Sequence, residues 1–390
     1  MSFDPHPIRD DARTQRRVAI NHRRNKAQDH TVLLDEAASA FRYADHAQSW
    51  WNPEELSLLH GTPVWDGASE HQRRLLNQLF WVAYYSQIVS AEVATIFFNQ
   101  TSAAGLYGLE DFRAICDMLD LESSQERAHI AAFKQVGDAV EEALFGRRVF
   151  TWPMRGPYAQ TMIFPDSGRL RDAWKSLQLR TFGLLSSGNA FIASQYFTVR
   201  GLRTLNGKMV QQQLGALTAK ARDKGSTPLP SQISWFHFQD ESFHFNSSTI
   251  LGKEVVKSLR PPTGFERMVA NLGISGCQRD HRNVSVVCRG LFWHEPATFQ
   301  AVFSVLTSPH FGLDRAGAID LMTKTFCEEN AGVDAAFVLH RKAVESYRSY
   351  LADLDHVSEA NRSLSIMASS TQGQYLARNR RALARFVPDA

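Results

Sequence analysis

The apolar positions of this chain recur with the spacing of α-helices rather than with the alternation of strands. The first long helical pattern covers residues 70–101, where no proline or glycine interrupts it, and Ser69 with Gln72 resembles a capping box at its start. A second helix is predicted for about 110–145, with apolar residues at core spacing. Further helical patterns cover about 169–202, 208–222, 296–308 and 314–352. The pattern therefore predicts an all-α protein.

A single carboxylate, Glu92, lies in the second half of the first helix, between residues 88 and 98. Aliphatic and aromatic residues surround it on every side of the helix. A carboxylate in such surroundings must find a cation or remain protonated, because an unpaired charge is costly to bury. We therefore predict that Glu92 is a metal ligand, with a lone arginine partner as the alternative.

The second predicted helix carries the sequence Glu126-Arg-Ala-His129, in which a glutamate precedes a histidine by three residues. Glu122 precedes Glu126 by four residues, so the three side chains follow one stripe of the helix. The alternative is that Ser123 and Glu126 form a capping box that starts a new helix and leaves His129 at the surface. A second Glu-x-x-His elsewhere in the chain favours the metal interpretation.

That second copy lies within residues 235–245, where His237, Glu241 and His244 follow spacings of four and three. At about 100° per residue these spacings place the three side chains on one stripe of an otherwise aromatic helix. Two imidazoles and one carboxylate on one stripe form a metal-ligand set. Two core histidines that share one glutamate are the alternative for this segment alone. Ser231 is predicted to be the N-cap of this helix.

Metal centres with two ions in the core of a helical bundle take one glutamate from each of two helices and a Glu-x-x-His from each of two others. The sequence supplies three of these four helices. The six predicted metal ligands are Glu92, Glu126, His129, His237, Glu241 and His244. We expect the first three to bind one ion and the last three to bind the other, with Glu126 and Glu241 as bridges.

The segment His237-x-x-Asp240-Glu241-x-x-His244 resembles the His-x-x-Asp-Glu-x-x-His signature of the p-aminobenzoate N-oxygenase family of non-haem di-iron proteins. The resemblance covers about residues 70–255. It implies a ferritin-like helical bundle, possession of two iron ions (Fe2+/Fe3+), and the use of O2 to oxidise an amine nitrogen to hydroxylamine or nitro products. A homodimer is a further expectation from the family. The motif also implies that Asp240 accepts a hydrogen bond from a ligand imidazole, with a surface aspartate as the alternative.

The third long predicted helix departs from the family pattern, which expects a glutamate on it. No glutamate occurs in residues 143–240, and this helix offers only Asp172 near its start. At the expected ligand position the sequence has Ser-Ser-Gly-Asn at residues 186–189, with Gln195 a little further on. We hypothesise that these side chains leave room at one iron for an amino-acid-like substrate that binds the metal through its own carboxylate or amine.

The chemistry expected of such a site is reductive activation of O2 in a pocket that aromatic side chains keep free of water. The aromatic residues expected around this pocket are Tyr84, Phe97, Phe98, Trp235 and Phe243. The electrons must come from an external donor, because the chain has no evident flavin, NAD or iron–sulfur motif. We expect N-oxygenation of an amine. The alternatives are a di-iron oxygenase that catalyses hydroxylation, desaturation or oxidative C–C cleavage, and a non-catalytic metal-binding homologue.

Composition and charge exclude several other classes of function. The 390 residues are 44% hydrophobic, which suffices for one large core or two smaller ones. The 43 basic and 40 acidic side chains nearly balance, so no nucleic-acid partner is expected. Four cysteines without CxxC spacing favour a reducing compartment. Since no apolar run is long enough to span a membrane, we expect a cytoplasmic protein without a membrane partner.

The pattern divides the chain into three regions. Residues 1–65 form an N-terminal arm and wrapping segment, of which residues 1–30 are basic and are expected to be flexible or loosely docked. Residues 66–260 form the metal-binding bundle, and residues 261–390 form a helical region packed on it. Four histidines of this last region lack ligand spacing and are expected to be structural: His281, His294, His310 and His340.

Overall fold

The computed structural model describes residues 12–107, 113–150, 169–220, 226–291 and 295–388. Within these ranges the chain forms helices joined by short connections and a single two-stranded antiparallel hairpin, made of β1 (Val284–Ser285) and β2 (Gly290–Leu291). The predicted all-α fold is therefore confirmed. His294 lies outside the described residues.

The helices described up to residue 258 are α1 (Ala12–Ala27), α2 (Thr31–Ala40), α3 (Tyr43–His46), α4 (Pro63–Asp66), α5 (Glu70–Tyr107), α6 (Arg113–Phe145), α7 (Arg169–Ser186), α8 (Ala190–Leu214), α9 (Ala216–Lys220), α10 (Leu229–Thr249) and α11 (Val256–Ser258). A π-helical turn, Ile250–Val255, joins α10 to α11. The C-terminal region contains α12 (Gly264–His281), α13 (Phe299–Leu306), α14 (Arg315–Cys327), α15 (Ala331–Leu351), α16 (Glu359–Arg362) and α17 (Gln372–Leu383). Two 3₁₀ turns, Glu295–Thr298 and Met367–Ser369, complete this region.

Four long helices form the central bundle. α5 packs on α6 and α8, and α10 packs on the same two helices, so the four close a ring of the ferritin-like kind. Residues 79–85 of α5 are all buried. This segment is apolar or aromatic around its whole circumference, and a helix of that composition is stable only inside a protein. The site residues discussed below lie on the inner faces of this ring.

The start of the bundle follows the sequence prediction closely. Ser69 and Gln72 form the predicted capping box: the Ser69 N–H donates to Gln72 Oε1 at 2.9 Å, and the Gln72 N–H donates to Ser69 Oγ at 3.3 Å. The next helix, α6, continues without a break through Ser123 and His129. The alternative in which a new helix starts at Ser123 and exposes His129 is therefore wrong, because His129 is fully buried.

Two predicted long helices are each divided in the structure. The segment predicted as one helix over 169–202 is broken at residues 187–189, where the side chain of Asn189 accepts a hydrogen bond from the Ile192 N–H at 3.1 Å and caps α8. The segment predicted over 314–352 is broken at residues 328–330, where Asn330 caps α15 in the same way. Asparagine caps interrupt a helix without changing its apolar spacing, so periodicity does not reveal them.

The metal-bearing helix α10 begins three residues earlier than predicted. Pro228 precedes its first residue, and Ser231 is not the N-cap but donates from its hydroxyl to the Trp51 carbonyl at 2.6 Å. At its other end, a Cβ added at Gly252 in the π-helical turn would lie 2.8 Å from the Thr198 backbone nitrogen. Only glycine permits this close approach of the turn to α8.

The N-terminal residues are packed on the bundle. α1 lies along α6 and α10 and buries Val18 with the polar residues Thr14, Asn21 and Asn25. The prediction of a flexible or loosely docked arm is therefore wrong for residues 12–30. Hydrophobic periodicity could not reveal this packing, because three of the four buried side chains of α1 are polar.

The C-terminal region shares a hydrophobic core with the bundle. Phe299 and Phe326 belong to the same buried cluster as Leu79 and Phe80 of α5. Burial lowers the pKa of His281 in this region to about 3, so this histidine is neutral at physiological pH.

Among the described residues, no helix has the length and apolar character that a membrane crossing requires.

Candidate metal centre

Three helices of the bundle bring the six predicted ligands to one place. They are Glu92 from α5, Glu126 and His129 from α6, and His237, Glu241 and His244 from α10. Five of the six are buried, and Glu241 is half-buried. Because residues three or four apart share one face of a helix, each Glu-x-x-His stripe presents both side chains to the interior at once.

The first donor group contains Glu92, His129, His237 and Glu241, whose ligand atoms all lie within 4.8 Å of one another. His237 Nε2 is 3.1 Å from Glu92 Oε1 and 3.5 Å from Glu241 Oε1. His129 Nδ1 is 3.7 Å from Glu92 Oε1 and 3.9 Å from Glu241 Oε1. These four side chains therefore surround one position that a metal ion could occupy.

The second donor group contains Glu126, Glu241 and His244. His244 Nδ1 is 2.8 Å from Glu241 Oε1 and 3.2 Å from Glu126 Oε1. Glu241 belongs to both groups, which suits its predicted role as a bridge. The division of the ligands differs from the one expected, because His237 lies with Glu92 and His129 rather than with His244.

Unsatisfied polar atoms indicate that a cation fits the first donor group. Both carboxylate oxygens of Glu92 and the Nε2 atom of His237 are buried without a hydrogen-bond partner among the described residues. The 3.1 Å between Glu92 Oε1 and His237 Nε2 is an ion-pair distance, but the angles are not those of a hydrogen bond. An unsatisfied buried polar group costs about 1–3 kcal/mol. Coordination of a metal ion by these atoms would remove that cost.

The ionisation of the cluster also suits a cation. Burial raises the pKa of Glu92 well above its usual value. Burial acts on Glu241 in the same direction, but the imidazoles of His244 and His237 outweigh it and hold the pKa of Glu241 well below its usual value. The carboxylates of Glu241 and Glu126 in turn raise the pKa of His244 despite its burial. Protons thus balance the carboxylate charge, and metal binding at such sites releases protons.

Asp240 lies beside His129 and is fully buried, so the alternative of a surface aspartate is wrong. Its Oδ2 atom is 3.3 Å from His129 Nε2, and its Oδ1 atom is 3.0 Å from His30 Nδ1. The His30 backbone N–H also donates to Oδ1, at 3.2 Å. Burial raises the pKa of Asp240, but the hydrogen bonds with His129 and His30 outweigh burial and lower the pKa to about 2. Asp240 is therefore ionised at physiological pH and accepts a hydrogen bond from Nε2 of His129, the ring nitrogen that points away from the donor groups.

Gln125 contacts Nε2 of His244, the ring nitrogen that points away from the donor groups. This contact was not predicted from the sequence. Its Oε1 atom is 2.9 Å from His244 Nε2. The same amide exchanges two hydrogen bonds with Asn25 of α1, at 2.8 and 2.9 Å. No spacing rule could have found Asn25, because it lies 100 residues from Gln125 in the sequence.

The fourth helix of the bundle contributes a cation in place of a carboxylate. α8 contains neither aspartate nor glutamate. Its Arg200 is buried and donates to Glu122 Oε2 at 2.9 Å, to Asn99 Oδ1 at 2.9 Å, to Ser248 Oγ at 2.6 Å and to the His244 carbonyl at 2.7 Å. Glu122, which lies on the same helical stripe as Glu126, therefore forms an ion pair with Arg200.

Residues 186–189 and Gln195, which were expected beside the open metal position, make other contacts. Asn189 donates to Glu266 at 2.6 Å, and Gln195 is 2.8 Å from His356 Nε2. A different part of α8 approaches the site: a Cβ added at Gly207 would lie 4.0 Å from the Tyr84 hydroxyl. Burial raises the pKa of Tyr84, and the carboxylates of Glu241 and Glu92 act in the same direction.

Aromatic rings cover the site on the side of His237. The Phe133 and Tyr85 ring centroids lie 4.8 and 5.6 Å from the centroid of the His237 imidazole, both edge to face. Of the aromatic residues expected around the pocket, Phe97 and Phe98 instead pack with each other, and Phe98 stacks on Tyr196. The rings that shield His237 come from positions that periodicity identifies only as core.

The Glu-x-x-His stripes of α6 and α10 and the glutamate of α5 match three of the four helices that supply ligands in di-metal carboxylate proteins. The family model described as "Acyl halogenase CylC-like" matches residues 13–387. The chain therefore belongs to the CylC-like acyl halogenase family. No curated protein and no solved structure matches the chain. The membership supports an oxidative enzyme and gives no support to the narrower resemblance to p-aminobenzoate N-oxygenase.

Proposed function

We propose that this protein is a di-iron enzyme that uses O2 to replace a C–H bond of an acyl substrate by a C–halogen bond. The family description, which names an acyl halogenase, supports the reaction class. The two donor groups that share Glu241 support a pair of metal ions. The observation that carries the proposal is that α8, residues 190–214, has no aspartate or glutamate to complete the centre.

Charge counting explains why the missing carboxylate matters. Two divalent ions would carry four positive charges, and the carboxylates of Glu92, Glu126 and Glu241 carry three negative ones, so the direct ligands leave one positive charge unbalanced. Asp240, which contacts His129, balances that charge only from outside the ligand set. A halide ion bound to the metals would be the fourth anionic ligand, in place of the carboxylate that α8 lacks. The halide would thus take the place of the amino-acid-like chelating substrate expected from the sequence.

The residues of the chain hold and shield the reaction site. When bound, the iron ions supply the capacity to reduce O2 and oxidise the substrate. Glu241 belongs to both donor groups, so it would hold both ions. Phe133 and Tyr85 exclude water beside His237.

The overall reaction requires an external electron donor. Replacement of hydrogen by halogen oxidises the substrate by two electrons, whereas reduction of O2 to two water molecules takes four. The balanced reaction is R–H + X⁻ + O2 + 2 e⁻ + 3 H⁺ → R–X + 2 H2O. The two further electrons come from a separate reductant, in agreement with the lack of an evident flavin, NAD or iron–sulfur motif in the chain.

The test is a turnover assay with the full chain, loaded with Fe(II) under argon and then exposed to O2, a chemical reductant and either chloride or bromide. Octanoic and dodecanoic acids and their coenzyme A thioesters serve as acyl probes. Mass spectrometry should detect acyl products with the isotope pattern of chlorine or bromine, according to the halide supplied. The Glu241→Gln variant serves as the control and should form none, because Glu241 belongs to both donor groups.

Two results would contradict the proposal. The first is an iron content that stays below two ions per chain after anaerobic loading. The second is formation of hydroxylated acyl products in the same yield with and without halide, which would identify a hydroxylase instead.

N-oxygenation of an amine is the second candidate, and the third histidine of the site favours it. His237 belongs to the signature shared with p-aminobenzoate N-oxygenases, and its Nε2 atom lies within the first donor group. The same assay with 15N-labelled aromatic and aliphatic amines separates the candidates. Labelled hydroxylamine or nitro products that form without halide would favour N-oxygenation over halogenation.

A further inference from the structure

The two histidines of the Glu-x-x-His stripes are each held at both ring nitrogens. His129 presents Nδ1 to Glu126 Oε2 at 3.4 Å and Nε2 to Asp240 at 3.3 Å. His244 presents Nδ1 to Glu241 and Glu126, and Nε2 to Gln125 at 2.9 Å. In both rings Nδ1 faces the donor groups and is the candidate ligand atom. The contact made by Nε2 fixes the orientation of the ring.

The outer contacts decide the tautomer as well as the orientation. Asp240 is an acceptor only, so in the neutral ring that metal binding requires His129 Nε2 carries the proton and Nδ1 offers its lone pair to the interior. Gln125 could face His244 with either end of its amide. In the structure Asn25 donates to Gln125 Oε1 and accepts from Gln125 Nε2, and these two hydrogen bonds hold the Gln125 amide with Oε1 toward His244 Nε2. His244 Nε2 therefore donates to Oε1, and in the neutral ring Nδ1 is again the lone-pair nitrogen.

Both outer residues are held by one short stretch of the N-terminal region. Asn25, in the last turn of α1, pairs with Gln125, and His30, just before α2, contacts Asp240 through its ring and its backbone N–H. Asn25 is fully buried, and the His30 side chain is 22% exposed. The stretch from residue 25 to residue 30 thus reaches the ligand histidines of two different helices.

We propose that Asn25 and His30 are positioning residues of the metal centre. Through Gln125 and Asp240 they fix the rings of His244 and His129 in the tautomer and orientation that metal binding requires. This inference rests on the proposed metal centre and extends it to the N-terminal helix. His237 differs from the other two histidines, because its Nδ1 atom has no hydrogen-bond partner among the described residues. Its ring is held by packing against Phe133 and Tyr85 instead.

The rival explanation is that Asn25 only anchors α1 to the bundle. Asn21 provides the matched control, because it is a buried asparagine on the same helix. Its amide donates to Ser247 Oγ at 2.9 Å and to the Phe243 carbonyl at 3.2 Å, and it contacts no ligand histidine. Replacing either asparagine by leucine removes a buried amide from α1. Only the Asn25 replacement releases Gln125 from its fixed orientation.

The experiment titrates the full chain with Co(II) and records the visible absorption spectrum, with equilibrium dialysis to count bound ions. Removal of contacts to the outer side of a metal ligand typically lowers metal affinity about 10–100-fold. We expect Asn25→Leu and His30→Phe to lose affinity by about that factor and to shift the Co(II) absorption bands. His30→Gln, which keeps a donor for Asp240, should restore much of the affinity. Asn21→Leu should bind Co(II) as the wild type does.

The outcomes separate the inference from the proposed function. If the wild type binds two Co(II) ions and Asn25→Leu gives the same affinity and spectrum as Asn21→Leu, the positioning role is refuted while the metal centre stands. If the wild type binds no Co(II), the metal centre itself is refuted. Thermal melting of the metal-free variants identifies any loss of folding. Asn25→Ser and Asn21→Ser repeat the comparison with smaller side chains if a leucine variant fails to fold.

Discussion

Replacement of Arg200 by methionine tests whether the buried cation of α8 holds the bundle together around the site. Arg200 is only 6% exposed and donates to groups on α5, α6 and α10. Methionine fills a similar volume but leaves Glu122, which is fully buried, without its ion-pair partner. Loss of one partner of a buried ion pair costs about 3–5 kcal/mol. We therefore expect Arg200→Met to lower the free energy of unfolding by about that amount.

The assay is urea denaturation with linear extrapolation to zero denaturant. Much of the loss comes from the buried unpaired carboxylate, so adding Glu122→Gln to Arg200→Met should restore part of the stability. Arg348→Met is the control, because Arg348 pairs with Glu345 on an exposed face of α15. Exposed pairs contribute within about 1 kcal/mol. A loss for Arg200→Met no larger than for Arg348→Met, or no recovery in the double variant, would refute the reasoning.

Three further predictions concern single residues. Burial raises the pKa of Glu295 to about 7, so its contribution to stability is greatest below about pH 4.5 and is lost as the pH rises through 7. Urea denaturation at pH 5 and pH 8 should show this loss, of about 3 kcal/mol, in the wild type and not in Glu295→Gln. Gly252→Ala should destabilise the protein by about 1–3 kcal/mol, because the new Cβ would meet the backbone of α8. Gly188→Ala meets no atom within 4 Å and should leave the melting temperature unchanged. By elemental analysis, Glu241→Gln should lose both metal ions and Glu92→Gln one, since Glu241 alone belongs to both donor groups. Equal metal content in these two variants would contradict the shared role of Glu241.

The local parts of the site were predictable from the sequence. Glu126 with His129, and Glu241 with His244, are three residues apart on single helices, so the helical repeat alone places each pair on one face. The apolar surroundings of Glu92 also indicated its burial before any contact between helices was known. Two such stripes were enough to predict a di-metal bundle, although they did not distinguish an acyl halogenase from an N-oxygenase.

The remaining features depend on contacts between distant segments. His237 was expected with His244, its neighbour on the same helix. It lies with Glu92 and His129 instead, because α10 packs beside α6 and lies opposite α5 in the ring. Arg200 meets Glu122 from 78 residues away, and Asn25 meets Gln125 from 100 residues away. Both pairs are polar and buried, so a search for apolar periodicity passes over them.

Sequence alone determined which residues form helices and which side chains share a face, because these follow from the geometry of about one helical turn. Tertiary structure decided which nitrogen of each histidine faces the interior and which residues orient the rings. It also decided that the N-terminal helix belongs to the site. Those outcomes depend on how whole helices pack against one another, and hydrogen bonds between polar side chains leave no periodic trace along the chain.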